Sequence, residues 1–237
     1  MRKLVDRLDG EWERRRNDEE EALIGRELHQ VGIDADGPSY IHTKYSGNTR
    51  GYPARRYDAA VPVLLEWLGK AESRLTRQMI ATVLGTSWTG PEVAKALLEY
   101  AVAGEGTRYE GREAYVALAE MSRGALAGVR SGLVERLAAG VHDAGWLARH
   151  GHVVLALGRA GAVEAIPLFE RAVETEPKMA AGVLFALRDL KDPRGLALAR
   201  RYSDAEEVQL RGLARSVVRQ LEGKARKTGP DELGTAQ

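Results

Sequence analysis

The chain has 237 residues, 44% hydrophobic and 29% charged, with a formal net charge of +1 and no cysteine. That is enough apolar material for a buried core, and the balanced charge demands no polyanion partner by itself. Without thiols there are no disulfides, no cysteine nucleophile and no cysteine-ligated metal, a composition that suits the reducing cytoplasm in which we expect the protein.

Residues 2–31 are charged almost throughout and read as one or two helices, with a short apolar stripe at Leu23, Ile24 and Leu28. No signal-peptide core is present in this stretch, and no apolar run approaches the ~20 residues that span a bilayer. A helix of this kind is suited to capping the open end of a repeat stack. Residues 34–56 follow, punctuated by Gly, Pro, Asn and Ser and without a period. This loop carries Tyr40, Tyr45 and Tyr52 together with His42, Lys44, Asn48, Arg50, Arg55 and Arg56. Long loops on rigid scaffolds often carry recognition, so Tyr45 and Arg50 are candidate partner contacts. The competing reading is that the tyrosines cover the edge of the first repeat. Residues 1–56 thus form an N-terminal capping region.

From Tyr57 the pattern becomes helical. Tyr57, Ala60, Val61, Leu64, Leu65 and Leu68 define one apolar face, and Pro62 stands near the start, where a missing N–H costs least. Leu75, Met79, Ile80, Val83 and Leu84 mark a partner helix that stops at Gly85. Further pairs carry Val93, Leu97 and Leu98 then Tyr115, Leu118 and Met121; Leu126, Leu133 and Leu137 then Trp146, Val153 and Leu157; and Ile166, Phe169 and Val173 then Val183, Leu184 and Leu187. The last opens at Asp192-Pro193 and closes with Leu213, Val217 and Leu221. First helices begin near positions 58, 91, 125, 163 and 193, and the polar residues 223–237 read as a disordered tail.

One phrase occurs twice. Ala59-Ala60-Val61-Pro62-Val63-Leu64-Leu65-Glu66 returns as Glu164-Ala165-Ile166-Pro167-Leu168-Phe169-Glu170, and the two prolines stand 105 positions apart. That is about three periods of ~35, in the range of stacked helical hairpins. Residues 153–173, and less closely 57–68 and 181–198, resemble the HEAT-repeat proteins, in particular the short bacterial type named for phycobilisome lyases. Their first helix begins Ala-Ile/Val-Pro-x-Leu and their second ends Ala-Leu-Gly. Residues 105–140 depart from those letters while keeping the helical layout. The resemblance implies an all-α fold, a right-handed α-solenoid of about five hairpins over residues 57–222 behind an N-terminal helical cap, used as a binding scaffold.

Three sets of side chains are candidates for chemistry. The segment from His142 to His152 places Asp143, Trp146, Arg149 and His150 three or four apart, a spacing that shares a helix face. An Asp beside an indole and an Arg suits a flipped, damaged base, and helical-repeat alkylpurine DNA glycosylases carry such a set, although their double-Trp-Asp pattern is missing here. The plainer reading is an Asp N-cap, a core Trp and polar contacts between repeats. A second set is the row of basic residues on second helices: Arg74, Arg77, Arg112, Arg149, Arg211, Arg215 and Arg219. Residues 188–227 hold eleven Lys/Arg against six Asp/Glu. Such a stripe either binds an acidic surface or phosphates, or pairs with neighbouring repeats. The third is the opening loop. Nucleotide-loop, serine-hydrolase and zinc motifs are absent, so neither cofactor nor metal is expected.

The sequence therefore predicts a non-enzymatic scaffold that binds a protein partner along an extended face. The alternative is a nucleic-acid-binding protein or repair glycosylase. A third reading, which follows the family name, is a tetrapyrrole-handling protein. The candidate contacts are Arg74, Arg77, Arg112, Trp146, Arg149, His150, Tyr45 and Arg50.

Overall fold

A computed structural model of the protein describes residues 2–45, 57–85, 89–106 and 110–228, with side chains for 10–41, 57–85, 89–105 and 111–226. Every regular element among them is helical. The chain divides into two compact units, Met1–Gly128 and Val129–Gln237.

The first unit contains α1 (Arg2–Gln30), α2 (Pro38–Tyr45), α3 (Ala60–Lys70), α4 (Arg74–Leu84), α5 (Pro91–Ala103), α6 (Glu110–Glu120) and α7 (Arg123–Leu126). Capping chemistry sets several of these boundaries. Ser73 accepts from the Thr76 amide at the start of α4, and Pro91 opens α5 directly after Gly90, as the missing proline N–H permits. Helix α4 packs on α3 and α6, α5 on α3, α6 and α7, and α1 lies across α3 and α4. The buried centre is made by Leu64, Ile80, Leu84, Leu97, Tyr115 and Leu118.

Of the one or two helices expected over residues 2–31, there is one, a helix of 29 residues over 2–30. One expectation for this region needs correction. The stretch 34–56 is not loop throughout, because Pro38–Tyr45 is helical. Eight residues hold no helix alone; here Ser39 Oγ donates to the Glu21 carboxylate of α1 and Gly37 seats directly on Glu21. That support comes from a helix more than a dozen residues earlier, so the local pattern carries no trace of it.

α1 is held by polar contacts as well as by buried Ile24 and Leu28. The Glu20 carboxylate, 1% exposed, accepts from the Glu72 amide at 2.7 Å and from the Ser73 amide at 3.2 Å. Glu13 accepts from Ser73 Oγ and the Leu75 amide, both at 3.0 Å. Two carboxylates thus occupy the amide-rich, partly positive start of α4. Trp67 Nε1 donates to Glu27 at 2.8 Å, joining α3 to the same helix.

The second unit contains α8 (Arg130–Gly140), α9 (Ala144–His150), α10 (His152–Ala160), α11 (Ile166–Thr175), α12 (Ala180–Leu190), α13 (Leu196–Arg200) and α14 (Val208–Thr228). Short 3-10 turns at Val163–Ala165, Pro177–Met179 and Pro193–Gly195 lead into α11, α12 and α13. Helix α10 packs on α8 and α12, α12 on α11 and α14, and α13 on α14. Val153, Val154, Leu157, Phe169, Val183, Leu184, Leu187, Val217 and Leu221 are buried there, at the positions the apolar period marks.

The helix expected across Trp146 and Leu157 is two helices divided at Gly151, where an added Cβ would lie 2.5 Å from Met179 Sδ. The third first helix is likewise interrupted, by the 3-10 turn Ala127–Val129 between α7 and α8. α14 runs through Thr228, so residues 223–228 are helical and not tail; the rest of the expected tail lies outside the described residues.

The Leu-Gly pair at the end of two second helices has a packing cause. A Cβ on Gly85 would lie 2.4 Å from Ala117 Cα, and one on Gly158 would lie 2.5 Å from Ala186 Cα. In both places a helix backbone approaches the next second helix so closely that only glycine opposite alanine fits.

Candidate functional site

The arginines expected to form a binding stripe are used in different ways. Arg77 Nη1 donates to the carbonyls of Ala71 at 2.7 Å and Glu72 at 3.2 Å. Arg211 Nη1 does the same to Ala205 at 2.8 Å and Glu206 at 3.3 Å. Each folds back five or six residues onto the turn before its own helix, satisfying carbonyls that the turn leaves open. Arg215 also braces a turn, through Ser203 O at 2.8 Å and Asp204 at 3.1 Å. Arg74 is half-buried. Arg112 and Arg149 are exposed and make no ion pair among the described residues.

Contacts between neighbouring hairpins of the second unit fall to other pairs. Arg130 grips Glu164 through Nε at 2.6 Å and through Nη2. Arg159 lies 3.8 Å from Asp189, and Arg201 lies 3.7 Å from Glu170 and 3.8 Å from Glu174. The Arg130 guanidinium, by hydrogen bonding, holds the Glu164 carboxyl below the usual carboxylate range, and Arg194 does the same to Asp192. Burial raises the Tyr202 phenol.

The cluster from His142 to His152 resolves into local structure. Asp143 caps α9, its carboxylate accepting from the Trp146 amide at 3.0 Å. Trp146 is 8% exposed and lies on Gly140, where an added Cβ would come within 2.2 Å of the indole. His150 is fully buried, its ring centroid 5.3 Å from that of Trp146. Trp146 and His150 therefore belong to the core of the second unit, and Asp143 is occupied by its own helix. Arg50 and the side chain of Tyr45 lie outside the described residues.

A concave surface in the first unit emerges instead from residues without a motif. On α1, Asn17, Asp18, Glu21 and Ala22 share one side, as positions i, i+1, i+4 and i+5 must. On α4, Leu75, Gln78, Met79 and Thr82 share one side at i, i+3, i+4 and i+7. Asp36 and Ser39 close one end from the start of α2, and Glu113 of α6 stands opposite. Together they enclose a groove of about 720 Å³. Its described lining residues include Asp18, Glu21, Asp36 and Glu113 and no Lys or Arg. Leu75 and Met79 are half-buried, while Ile80, Val83 and Leu84 on the other side of α4 are fully buried.

The sequence did hold a signal for this groove. The five apolar positions of α4 cover about half the helix circumference, wider than one contact stripe requires. The second unit has a smaller hollow of about 420 Å³, lined by Leu147, Leu155, Met179 and Gly182 with His152, Glu176 and Lys178. Among the described residues no group of three or more His, Asp or Glu is placed to hold a metal ion, and no helix is long and apolar enough to cross a membrane.

The fold and site define a helical protein with an acidic groove floored by aliphatic side chains. No protein-family model, curated protein or solved structure matches the chain.

Proposed function

We propose that the protein is a non-enzymatic α-solenoid of HEAT-like hairpins that binds a protein partner on the outward face of its second helices. The observation that carries this reading is the row of second helices within each unit: α4 against α6, and α10, α12 and α14 in succession. Repeated close approaches of Gly85 to Ala117 and of Gly158 to Ala186 support it, because they recur at the same place in the hairpin. A rigid array of this kind offers an ordered surface without an ordering cost at binding. Arg112, Arg149 and the first-unit groove are among the surface groups that packing leaves over.

The nucleic-acid reading has less support. Arg77, Arg211 and Arg215 spend their guanidinium groups on turn carbonyls, Trp146 is buried, and the carboxylates of the first-unit groove repel phosphate.

The test is affinity capture from the source-cell lysate with wild type, Arg112→Glu/Arg149→Glu and Asp18→Lys/Glu113→Lys. A protein held by wild type and lost with either double variant, at unchanged melting temperature, supports the scaffold reading. Capture unaffected by both removes this face from consideration. Duplex DNA binding that falls steeply with salt, with no protein retained, would move the assignment to the alternative.

A further inference from the structure

We infer that the groove between α1, α2, α4 and α6 receives a basic segment of a protein partner, with an aliphatic side chain on Leu75 and Met79 and a lysine or arginine at Asp18 and Glu113. The inference rests on the scaffold reading and names the partner's chemistry.

Two independent features meet in the groove. Its floor is apolar: Leu75 and Met79 stay half-buried, while neighbouring positions of α4 enter the core. A flexible methionine adapts to side chains of differing shape, which suits a recognition surface. Among the described residues its rim carries four carboxylates and no Lys or Arg. Two of them are partly engaged, since Glu21 accepts from Ser39 and His29 approaches Asp36 at 3.6 Å. Asp18 is exposed and Glu113 half-buried, and neither makes an ion pair or hydrogen bond among the described residues.

This combination selects among cationic occupants. A metal ion lacks a ligand set here. A small polyamine would leave the floor uncovered. A phosphate backbone meets like charge. A short amphipathic segment satisfies both features, and the volume of about 720 Å³ accommodates a few side chains. Exposed carboxylates steer such a segment, so its affinity falls with salt, while the floor contributes a part that salt leaves alone.

The experiment uses the full chain and a labelled synthetic helix of leucine and lysine, read by fluorescence anisotropy beside its leucine–glutamate counterpart. Wild type should bind the lysine peptide and not the glutamate one. Asp18→Lys/Glu113→Lys should weaken that binding roughly tenfold or more. Glu99→Lys/Glu120→Lys, an equal charge change at exposed sites outside the groove, should leave it unchanged. Met79→Gln should weaken binding with little change in its salt dependence. If the groove variant melts below wild type, Asp18→Lys alone and Met79→Gln carry the comparison. The groove assignment is overturned if wild type ignores the lysine peptide, if both peptides bind equally, or if both charge-reversed variants lose binding alike. A natural partner still held by Asp18→Lys/Glu113→Lys, but lost from Arg112→Glu/Arg149→Glu, would overturn the groove and leave the scaffold reading standing.

Discussion

Gly161 and Lys191 end successive second helices, α10 and α12, in the left-handed conformation, with φ of 75° and 55°. Gly161 adopts it without strain, whereas Lys191 carries a Cβ into it. Lys191 is exposed, so its side chain has little packing to lose. Lys191→Gly should therefore stabilise the protein by about 0.5–1 kcal/mol, the relief of strain exceeding the added chain entropy; a lower denaturation midpoint would contradict this. Glycine acts in the opposite sense at Gly158. Gly158→Ala forces a Cβ toward Ala186 and should cost about 1–3 kcal/mol, whereas Gly212→Ala, with nothing within 4 Å, should gain about 0.5–1 kcal/mol from helix propensity. Equal midpoints for the two variants would mean that α10 and α12 are not in close contact. Leu157, fully buried between them, should cost about 2–5 kcal/mol when cut to alanine.

Among the elements, α1 is the one whose attachment depends most on charge. Glu20 and Glu13 cap α4 from a separate helix, and Arg16 lies 3.3 Å from Glu20 and 3.1 Å from Glu72. Glu20→Ala would leave the Glu72 and Ser73 amides unanswered and should cost about 1.5–3 kcal/mol. Amide hydrogen exchange should then accelerate at residues 72–76 before it does so in α6. Uniform acceleration would show that α1 is not held in this way. The second unit has a pH dependence of definite sign. Glu164 and Asp192 carry carboxyls lowered by Arg130 and Arg194. Their contribution is present above the ordinary carboxylate range and is lost as the pH falls below about 4. The urea midpoint of Arg130→Met/Arg194→Met should lie below that of wild type at pH 7, and the gap should narrow toward pH 3. The effect is small because Arg130 and Glu164 are 40% and 43% exposed.

For the whole molecule, the scaffold reading predicts no chemistry on nucleic acid. Wild type should release no methylated purine from duplex DNA, and Asp143→Asn should change only stability, because the Asp143 carboxylate already serves the Trp146 amide. Purine release that disappears in that variant would establish the glycosylase alternative.

The sequence by itself determined the class of structure. The apolar period from Tyr57 to Leu221 marked where helices run, and Gly90-Pro91 and Asp192-Pro193 marked their starts, because period and capping are properties of neighbouring residues. It also framed the alternatives for Asp143 and Trp146, an N-cap and a core indole against a base-binding pair. The tertiary structure decided between them, since burial depends on what lies across the fold. It alone revealed that α2 leans on Glu21, that Arg77 and Arg211 fold back on their own turns, and that a helix break falls at Gly151. It also brought together the groove, whose acids lie at positions 18, 21, 36 and 113. Residues so far apart along the chain form no motif. Their shared electrostatic field exists only once α1 and α6 face the same side of α4.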